Sequence, residues 1–370
     1  MSNRAEAIID LTAIAANVKK LKATAGTDLM AVVKADAYGH GLVPIAKTAI
    51  SAGASWLGVA LVEEAHALRA AGITAPILAW LVPPGSDYAA AIDAQIDLAV
   101  PSLDIFKEIV ATGKRARIHI EVDTGMTRGG FLEEWSEFLK SDFSKVEVVG
   151  IFSHFARADE VSEKQNQDQL ANFNKAIADL AAVGVVPQLK HLANSAATMT
   201  NQSAAFDLVR TGIAMYGLTP DLEHLGTSKS LGLAAAMEVR AKLHLVKKVP
   251  ANSPVGYGAT AITERYTKLG IVAMGYADGI PRIAQGAGIF VHGKRAPIIG
   301  RVSMDQFVVD LGPDSKAISG EWVEVFGDGI AGGYTAEEWG SASGSINYEI
   351  VTRIGPRVPR IYRSSSPTTE

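Results

Sequence analysis

Residues 76–81 read Pro-Ile-Leu-Ala-Trp-Leu, five apolar side chains in succession after a proline. A half-buried strand alternates apolar and polar residues. An unbroken apolar run of this length fits a strand covered on both faces, as in a parallel sheet flanked by helices. The neighbouring sequence repeats the theme. Apolar, β-rich runs occur at 30–34, 56–60, 76–81, 97–100, 117–122, 147–153, 188–192 and 206–210. Segments with apolar recurrence at three and four residues lie between them, at 44–52, 62–71, 103–112, 133–140 and 163–183. Asp10 is placed to cap a further helix running to about Lys22. Strand–helix alternation predicts a parallel sheet, and eight strands before residue 231 predict an α/β fold, a (β/α)8 TIM barrel. A doubly wound open sheet is the alternative; no G-x-G-x-x-G follows the first strand to support it.

Beyond residue 231 the texture changes. Glu238-Val-Arg-Ala-Lys-Leu-His-Leu-Val alternates with period two, and shorter strands are predicted at 269–274, 289–291, 295–299, 307–310 and 322–326. Turn signals separate them, among them Asp278-Gly279, His292-Gly293, Gly312-Pro313 and Gly327-Asp328-Gly329. Two domains are therefore expected: a barrel over 1–231 and a mostly-β domain over 232–370. The last residues, 364–370, read as a frayed tail.

Composition narrows the function classes. The chain has 370 residues, 48% hydrophobic and 20% charged, enough for two sizeable cores. Lys plus Arg is 35 against 39 Asp plus Glu, a net charge of −4, which argues against a nucleic-acid partner. There is no cysteine, hence no disulfide, thiolate metal site, Fe–S cluster or cysteine nucleophile. No metal site is expected. No apolar run reaches the roughly 18 residues of a membrane span. The start, MSNRAEAIIDL, lacks a clean apolar signal region, so a cytoplasmic protein without a membrane partner is expected.

Barrel active sites lie at the C-terminal ends of the strands. Here those ends carry Lys34, Glu121 with the following Arg128, His154, Asn194 with Ser195, and Arg210 followed by Gly212 and Ile213. A lysine closing an apolar strand either escapes to the rim or becomes a desolvated amine, able to form a Schiff base or act as a base. Tyr38 and His40 clustered behind Lys34 favour the second. Ser195 and Gly212-Ile213 follow strands seven and eight, where barrels often bind phosphate. A lysine opposite a phosphate cradle suggests pyridoxal 5′-phosphate. Arg210 then faces the pyridine nitrogen; arginine cannot accept a proton there, so that nitrogen stays an acceptor.

These residues sit in AVVKADAYGHG, VDTGMTRGG, FSHFA, HLANSAA and VRTGIAMYG, followed in the second domain by GYGAT, GYADG, GRVSMDQ and INYEIVTRIGPRVPR. Together, and in this order, they resemble the alanine racemase family. The resemblance implies a barrel with a C-terminal β domain, with the residues before Asp10 packing on that second domain. It also implies a head-to-tail homodimer that interconverts L- and D-alanine, supplying D-alanine for peptidoglycan. By motif, Lys34 holds the cofactor and is one catalytic base, and Tyr257 of the partner subunit is the other. Arg210 bonds the pyridine nitrogen, and His154 links Arg210 to that tyrosine. Tyr38, Asn194, Ser195, Gly212, Ile213 and Tyr348 hold the cofactor. Arg128 and Met304 approach the substrate carboxylate, with Asp305 in support. Asp159, Tyr276, Arg282, Arg301 and Ile346 line the entrance. One departure concerns Glu121. Many members carry there a lysine modified to a carbamate; here the glutamate supplies the charge, and it is expected to pair with Arg128. The competing readings are a broader amino-acid racemase, a barrel decarboxylase and a non-catalytic cofactor-binding protein. A decarboxylase usually pairs an acid with the ring nitrogen, and the carrier usually lacks a second domain.

Overall fold

The computed structural model describes residues 3–364. Strand β1 (Ala5–Asp10) leads directly into a helix, Leu11–Ala25. The Asp10 carboxylate accepts from the Thr12 and Ala13 N–H groups at 2.7 and 3.1 Å and so caps that helix as the sequence predicts. Eight strands follow with parallel pairing: β2 (Asp28–Val32), β3 (Trp56–Val59), β4 (Ile77–Ala79), β5 (Asp97–Val100), β6 (Ala116–Glu121), β7 (Val146–Phe152), β8 (Leu189–His191) and β9 (Leu208–Thr211). Each of β2 to β7 pairs with the next, and β9 pairs with β2. The seam between β8 and β9 is closed by the Asp207 N–H to the Lys190 carbonyl and the Arg210 N–H to the Ala193 carbonyl, at 3.1 and 2.9 Å. The sheet is thus a barrel, not an open doubly wound layer.

Its interior is divided. Met30, Trp56, Leu78, Ala99, Phe152 and Leu208 form an apolar cluster, while His119, His191 and Arg210 are buried beside it. Most of the remaining core lies between strands and helices.

Boundaries shift where the backbone leaves the regular path. The first barrel strand stops at Val32, and Lys34 opens a turn in which Ala35, Asp36, Ala37 and Tyr38 all have φ of 52–53°. Phe206 is likewise left-handed, at φ 47°, so β9 starts at Leu208. The segment predicted helical over 133–140 is helical only over Trp135–Phe138.

The later part is built on a 13-residue strand, β10 (Met237–Val249), whose burial alternates along its first half. After the short pair β11 (Pro254–Val255) and β12 (Ala261–Ile262) come β13 (Thr267–Val272), β14 (Gly288–Val291), β15 (Lys294–Pro297), β16 (Phe307–Asp310), β17 (Trp322–Phe326) and β18 (Arg360–Arg363). Strand β10 pairs antiparallel with β1, β13 and β17. Strand β1 also pairs in parallel with β18, so the chain's first strand lies in the second sheet. Two helices, Ala336–Ala342 and Asn347–Thr352, were not foreseen. Of the predicted tail, residues 365–370 lie outside the described residues. Among the described residues, no helix is long and apolar enough to cross a membrane.

Candidate active site

The turn that carries Lys34 is costly. A left-handed residue other than glycine costs on the order of 1–2 kcal/mol, and four occur in succession. The surroundings hold it in place. Glu64 accepts the Ala35 N–H at 2.6 Å with one oxygen and the Ala60 and Leu61 N–H groups with the other. Asp36 accepts the Leu42 N–H at 2.7 Å. Arg360, from β18, donates to the Gly39 carbonyl at 2.8 Å. Gly39 must be glycine here: its φ is 76°, and a Cβ would stand 2.4 Å from the Val351 carbonyl oxygen.

The Lys34 ammonium lies 5.8 Å from the Trp80 ring centre. Burial and the nearby Arg128 charge push its pKa down, partly offset by Glu64. Neutral amine is therefore more accessible here than for a surface lysine.

Arg210 lies across the mouth at the end of β9, 6% exposed. Its Nη1 donates to the His191 carbonyl (2.7 Å) and to His191 Nδ1 (3.2 Å). Its Nη2 donates to the Ser153 and Leu192 carbonyls (2.6 and 3.2 Å) and to His154 Nδ1 (3.2 Å). Among the described residues it has no carboxylate partner within ion-pair distance, and its Nε–H has no partner. Burial lowers its pKa to about 10, which still leaves it charged at neutral pH. His154 is pushed down to about 3, by burial first and then by Arg210, Arg128 and Lys34. It is a neutral imidazole.

The side expected to take a phosphate is tightly fitted. Ser195 Oγ accepts the Gly212 and Ala214 N–H groups at 2.9 and 3.4 Å, and Asn194 caps the helix Ser195–Thr200 through the Ala197 N–H. A Cβ on Gly212 would stand 2.4 Å from the Tyr38 hydroxyl. Tyr38 stacks on Tyr216 at 4.8 Å and faces Tyr348 at 6.3 Å. Burial pushes all three phenols upward, so they remain hydrogen-bond donors. Ile213 begins the next turn and is buried.

Glu121 departs from expectation. Among the described residues it forms no ion pair with Arg128. Its carboxyl lies against Gly129, where a Cβ would be 3.3 Å from Oε1. It feels the field of Arg210 more than that of Arg128, while burial pushes its pKa up. Arg128 is exposed, at the end of a loop that Asp123 holds through the Gly125, Met126 and Thr127 N–H groups.

The second-domain residues do not join this cluster within one chain. Tyr257 is 71% exposed and Met304 is 53% exposed. Among the described residues no hydrogen bond ties either to Lys34, His154 or Arg210. His154 reaches Arg210, but its expected link to Tyr257 is absent within one chain. The loop carrying Met304 is zipped to the one carrying Tyr276. Tyr276 and Ala277 donate to the Ser303 and Met304 carbonyls at 3.1 and 2.9 Å. Arg357 pairs with Asp305 at 2.6 Å and with the buried Asp278 at 3.2 Å. Arg282, Arg301 and Ile346 are exposed, and Asp159 is grouped with Asp221 and His224, their ligand atoms within 4.8 Å of one another.

The chain matches the descriptions "Alanine racemase, N-terminal domain" over residues 9–220 and "Alanine racemase, C-terminal domain" over residues 236–362. The chain belongs to the alanine racemase family. A family relative from Thermobifida fusca is 47% identical over 375 residues, spanning 98% of this chain and 99% of the relative. One from Salinispora tropica is 46% identical over 376 residues, spanning 98% and 100%. The crystal structure of alanine racemase from Streptomyces lavendulae superposes with a TM-score of 0.95 at 47% identity, covering 99% of this chain and 98% of that one. That of the Bacillus anthracis enzyme with bound L-Ala-P gives 0.91 at 38% identity, covering 100% and 97%.

Sequence reasoning about this alanine racemase family member missed Glu64, Trp80, Asp97, His119 and Tyr216. Two signals were available. Glu64 stands at the third position of a helix start, a capping pattern. Arg117, His119 and Glu121 alternate along β6 and so share one face of the strand.

Proposed function

We propose that this protein interconverts L-alanine and D-alanine with pyridoxal 5′-phosphate held on Lys34, supplying D-alanine for peptidoglycan from the cytoplasm. The working unit is a homodimer in which the partner's Tyr257 and the partner's Met304 complete each site. The observation that carries the reading is the setting of Arg210. It is a buried cation held by carbonyls and two neutral histidines, with one N–H left over and no acid opposite. That donor fits a ring nitrogen kept as acceptor, and the Ser195–Gly212–Tyr38 cradle fits a phosphate. A decarboxylase-like site with an acid at the ring nitrogen does not match it.

When bound, the cofactor withdraws electrons from the amino acid and so acidifies its Cα–H. The chain's own residues do the rest. Lys34, with its lowered pKa, takes and returns a proton on one face. Arginine only donates, so His154 Nδ1 is the acceptor of the Arg210 bond and the His154 proton sits on Nε2. That N–H is free to donate to the phenolic oxygen of the partner's Tyr257 and so stabilise its phenolate, the base of the opposite face. His154 thus acts as a neutral donor and not as a positive charge. Arg128 and the backbone N–H of the partner's Met304 receive the substrate carboxylate.

The test is incubation of the purified protein with pyridoxal 5′-phosphate in deuterated water, with L-alanine and separately with D-alanine, followed by chiral separation with mass detection. Conversion from both sides to an equal mixture, with Cα deuterium in the product, is expected. Exchange without inversion would remove Tyr257 as second base. Neither exchange nor inversion would refute alanine as substrate.

A further inference from the structure

Behind Arg210, inside the barrel, lies a chain of buried polar groups that the reaction scheme does not use. His191 Nδ1 accepts from Arg210 Nη1 at 3.2 Å. His191 Nε2 lies 2.8 Å from His119 Nδ1. His119 Nε2 lies 3.4 Å from Asp97 Oδ2, within ion-pair distance but outside hydrogen-bond geometry. Both histidines are 0% exposed and Asp97 is 2% exposed. Asp97 is held in turn by Arg117 at 2.9 and 3.1 Å, and Arg117 reaches Glu147 at 2.9 Å. The line therefore crosses the barrel from its N-terminal rim to the active-site mouth.

The fold is shaped around this line. The pairing of β6 with β7 slips between Ile118 and His119, which sets His119 opposite Gly150. A Cβ on Gly150 would stand 2.3 Å from His119 Nδ1, the atom that meets His191. Phe152 lies parallel to the His191 ring at 5.1 Å, and the Trp56 ring meets His119 edge-on at 5.2 Å. These groups pack directly against both imidazoles.

The proton positions follow from one fact: a guanidinium donates and never accepts. His191 Nδ1 must be the bare nitrogen, so His191 carries its proton on Nε2. It therefore donates to His119 Nδ1, which puts the His119 proton on Nε2, on the side of the Asp97 carboxylate. Every donor points the same way, from Arg210 to the anion.

We propose that His119 and His191 form a one-way hydrogen-bond relay, biased by the charge of Asp97 beside it, that positions Arg210 and strengthens its hold for the ring nitrogen. The carboxylate at the far end polarises each bond in turn and makes His191 Nδ1 a better acceptor. These are positioning residues acting through Arg210; the proposal rests on the reading of Arg210 as the ring-nitrogen donor. Burial keeps both histidines neutral, which preserves the direction of the relay.

Asp97→Asn tests it. Its amide can turn a donor toward His119, driving the His119 proton to Nδ1 and the His191 proton to Nδ1, where it opposes the Arg210 N–H. Arg117 keeps Glu147 as partner, so the far rim stays paired. Long-range 1H–15N spectra of histidine-labelled apoprotein read the tautomers directly. The wild type is expected to show neutral rings protonated at Nε2 for His119 and His191. Asp97→Asn is expected to shift at least one of them, to move the absorption maximum of the reconstituted cofactor, and to lower kcat for alanine about tenfold with KM little changed. If Asp97→Asn does not fold, His119→Asn serves: its Oδ1 still accepts from His191 while the link to Asp97 is cut, and the same loss in kcat is expected.

Nδ1-protonated or charged rings in the wild type would overturn the relay. So would a variant with lower thermal stability but unchanged absorption and kcat, since that is a packing role alone. Expected tautomers in a protein that does not racemise alanine would instead sink the assigned reaction and leave the relay standing.

Discussion

The two halves of the site are built by opposite means. At the barrel mouth, Arg210 and Ser195 are buried, Lys34 and His154 half-buried, and nearly every polar atom is braced by neighbours in the same chain. In the second domain, Tyr257, Tyr276 and Met304 are exposed; the loops of Tyr276 and Met304 are tied to each other, and among the described residues no hydrogen bond ties any of the three to Lys34, His154 or Arg210. Burial within the barrel tunes charge: it lowers Lys34 and His154, and it lowers Arg210 too, which Glu121 partly offsets. The second domain tunes nothing until a partner surface covers it. On the proposed reading, a monomer holds a finished cofactor half and an unfinished acid–base half.

The sharpest way to break this contrast is to split the two halves between subunits. Lys34→Ala and Tyr257→Phe are each expected to be nearly inactive as homodimers. A heterodimer of the two, isolated by two different tags, contains one site with both defects and one with neither. About half the wild-type activity per dimer is expected to return, because a two-fold assembly exchanges the same patch in both directions. A heterodimer as inactive as its parents would place Tyr257 in its own chain's site. The second effect concerns Tyr257→Phe alone. Removing a general base costs on the order of 10²–10⁴-fold, and the loss is expected to be larger for Cα exchange of L-alanine than of D-alanine. Equal losses would break the assignment of faces.

The same contrast explains what was legible in the sequence. Barrel strands were readable because burial on both faces leaves continuous apolar runs such as 77–81, and the capping by Asp10 is local chemistry. The left-handed turn at 35–38 was not readable. Ala-Asp-Ala-Tyr carries no glycine to announce it, and it is held by the distant residues Glu64 and Arg360. The relay behind Arg210 was partly readable, through the alternation of Arg117, His119 and Glu121. What hid it was the meeting of His119 with His191, 72 residues away. In the second domain, Tyr257 and Met304 carry little signal of their own, since an exposed turn tyrosine is ordinary. Only the ensemble of motifs singles them out.

A buried carboxylate behaves differently in the two halves. Glu121 lies between Arg210 and Arg128 and balances two cations without touching either closely. Glu121→Gln removes the anion and leaves both arginines uncompensated. A loss of about tenfold in kcat/KM is expected, about 1.4 kcal/mol of transition-state stabilisation, carried mainly by KM because Arg128, the exposed one of the two, is the one assigned to the substrate carboxylate. Steady-state kinetics on alanine check this. Unchanged constants would mean that the arginines need no anion.

Glu324, on β17 of the second sheet, is the counterpart. Burial, followed by the charges of Glu238 and Asp328, raises its pKa from 4.5 to about 7. Below pH 4.5 it is protonated both folded and unfolded and has no effect on stability. Between pH 4.5 and 7 the folded protein retains a proton that the unfolded chain has lost, so stability falls as pH rises, and the loss is complete above pH 7. Glu324→Gln removes that dependence. The side chain is partly exposed, so solvent screening reduces the gain to about 1 kcal/mol, a rise in Tm of about 2 °C at pH 8. Near pH 4 variant and wild type should melt together. An equal gain at both pH values would trace the effect to packing against Gly333, where a Cβ would collide with the Glu324 carboxyl. A gain at pH 8 alone would show that a carboxylate buried among like charges costs stability in the second domain, whereas the barrel surrounds its own with arginines.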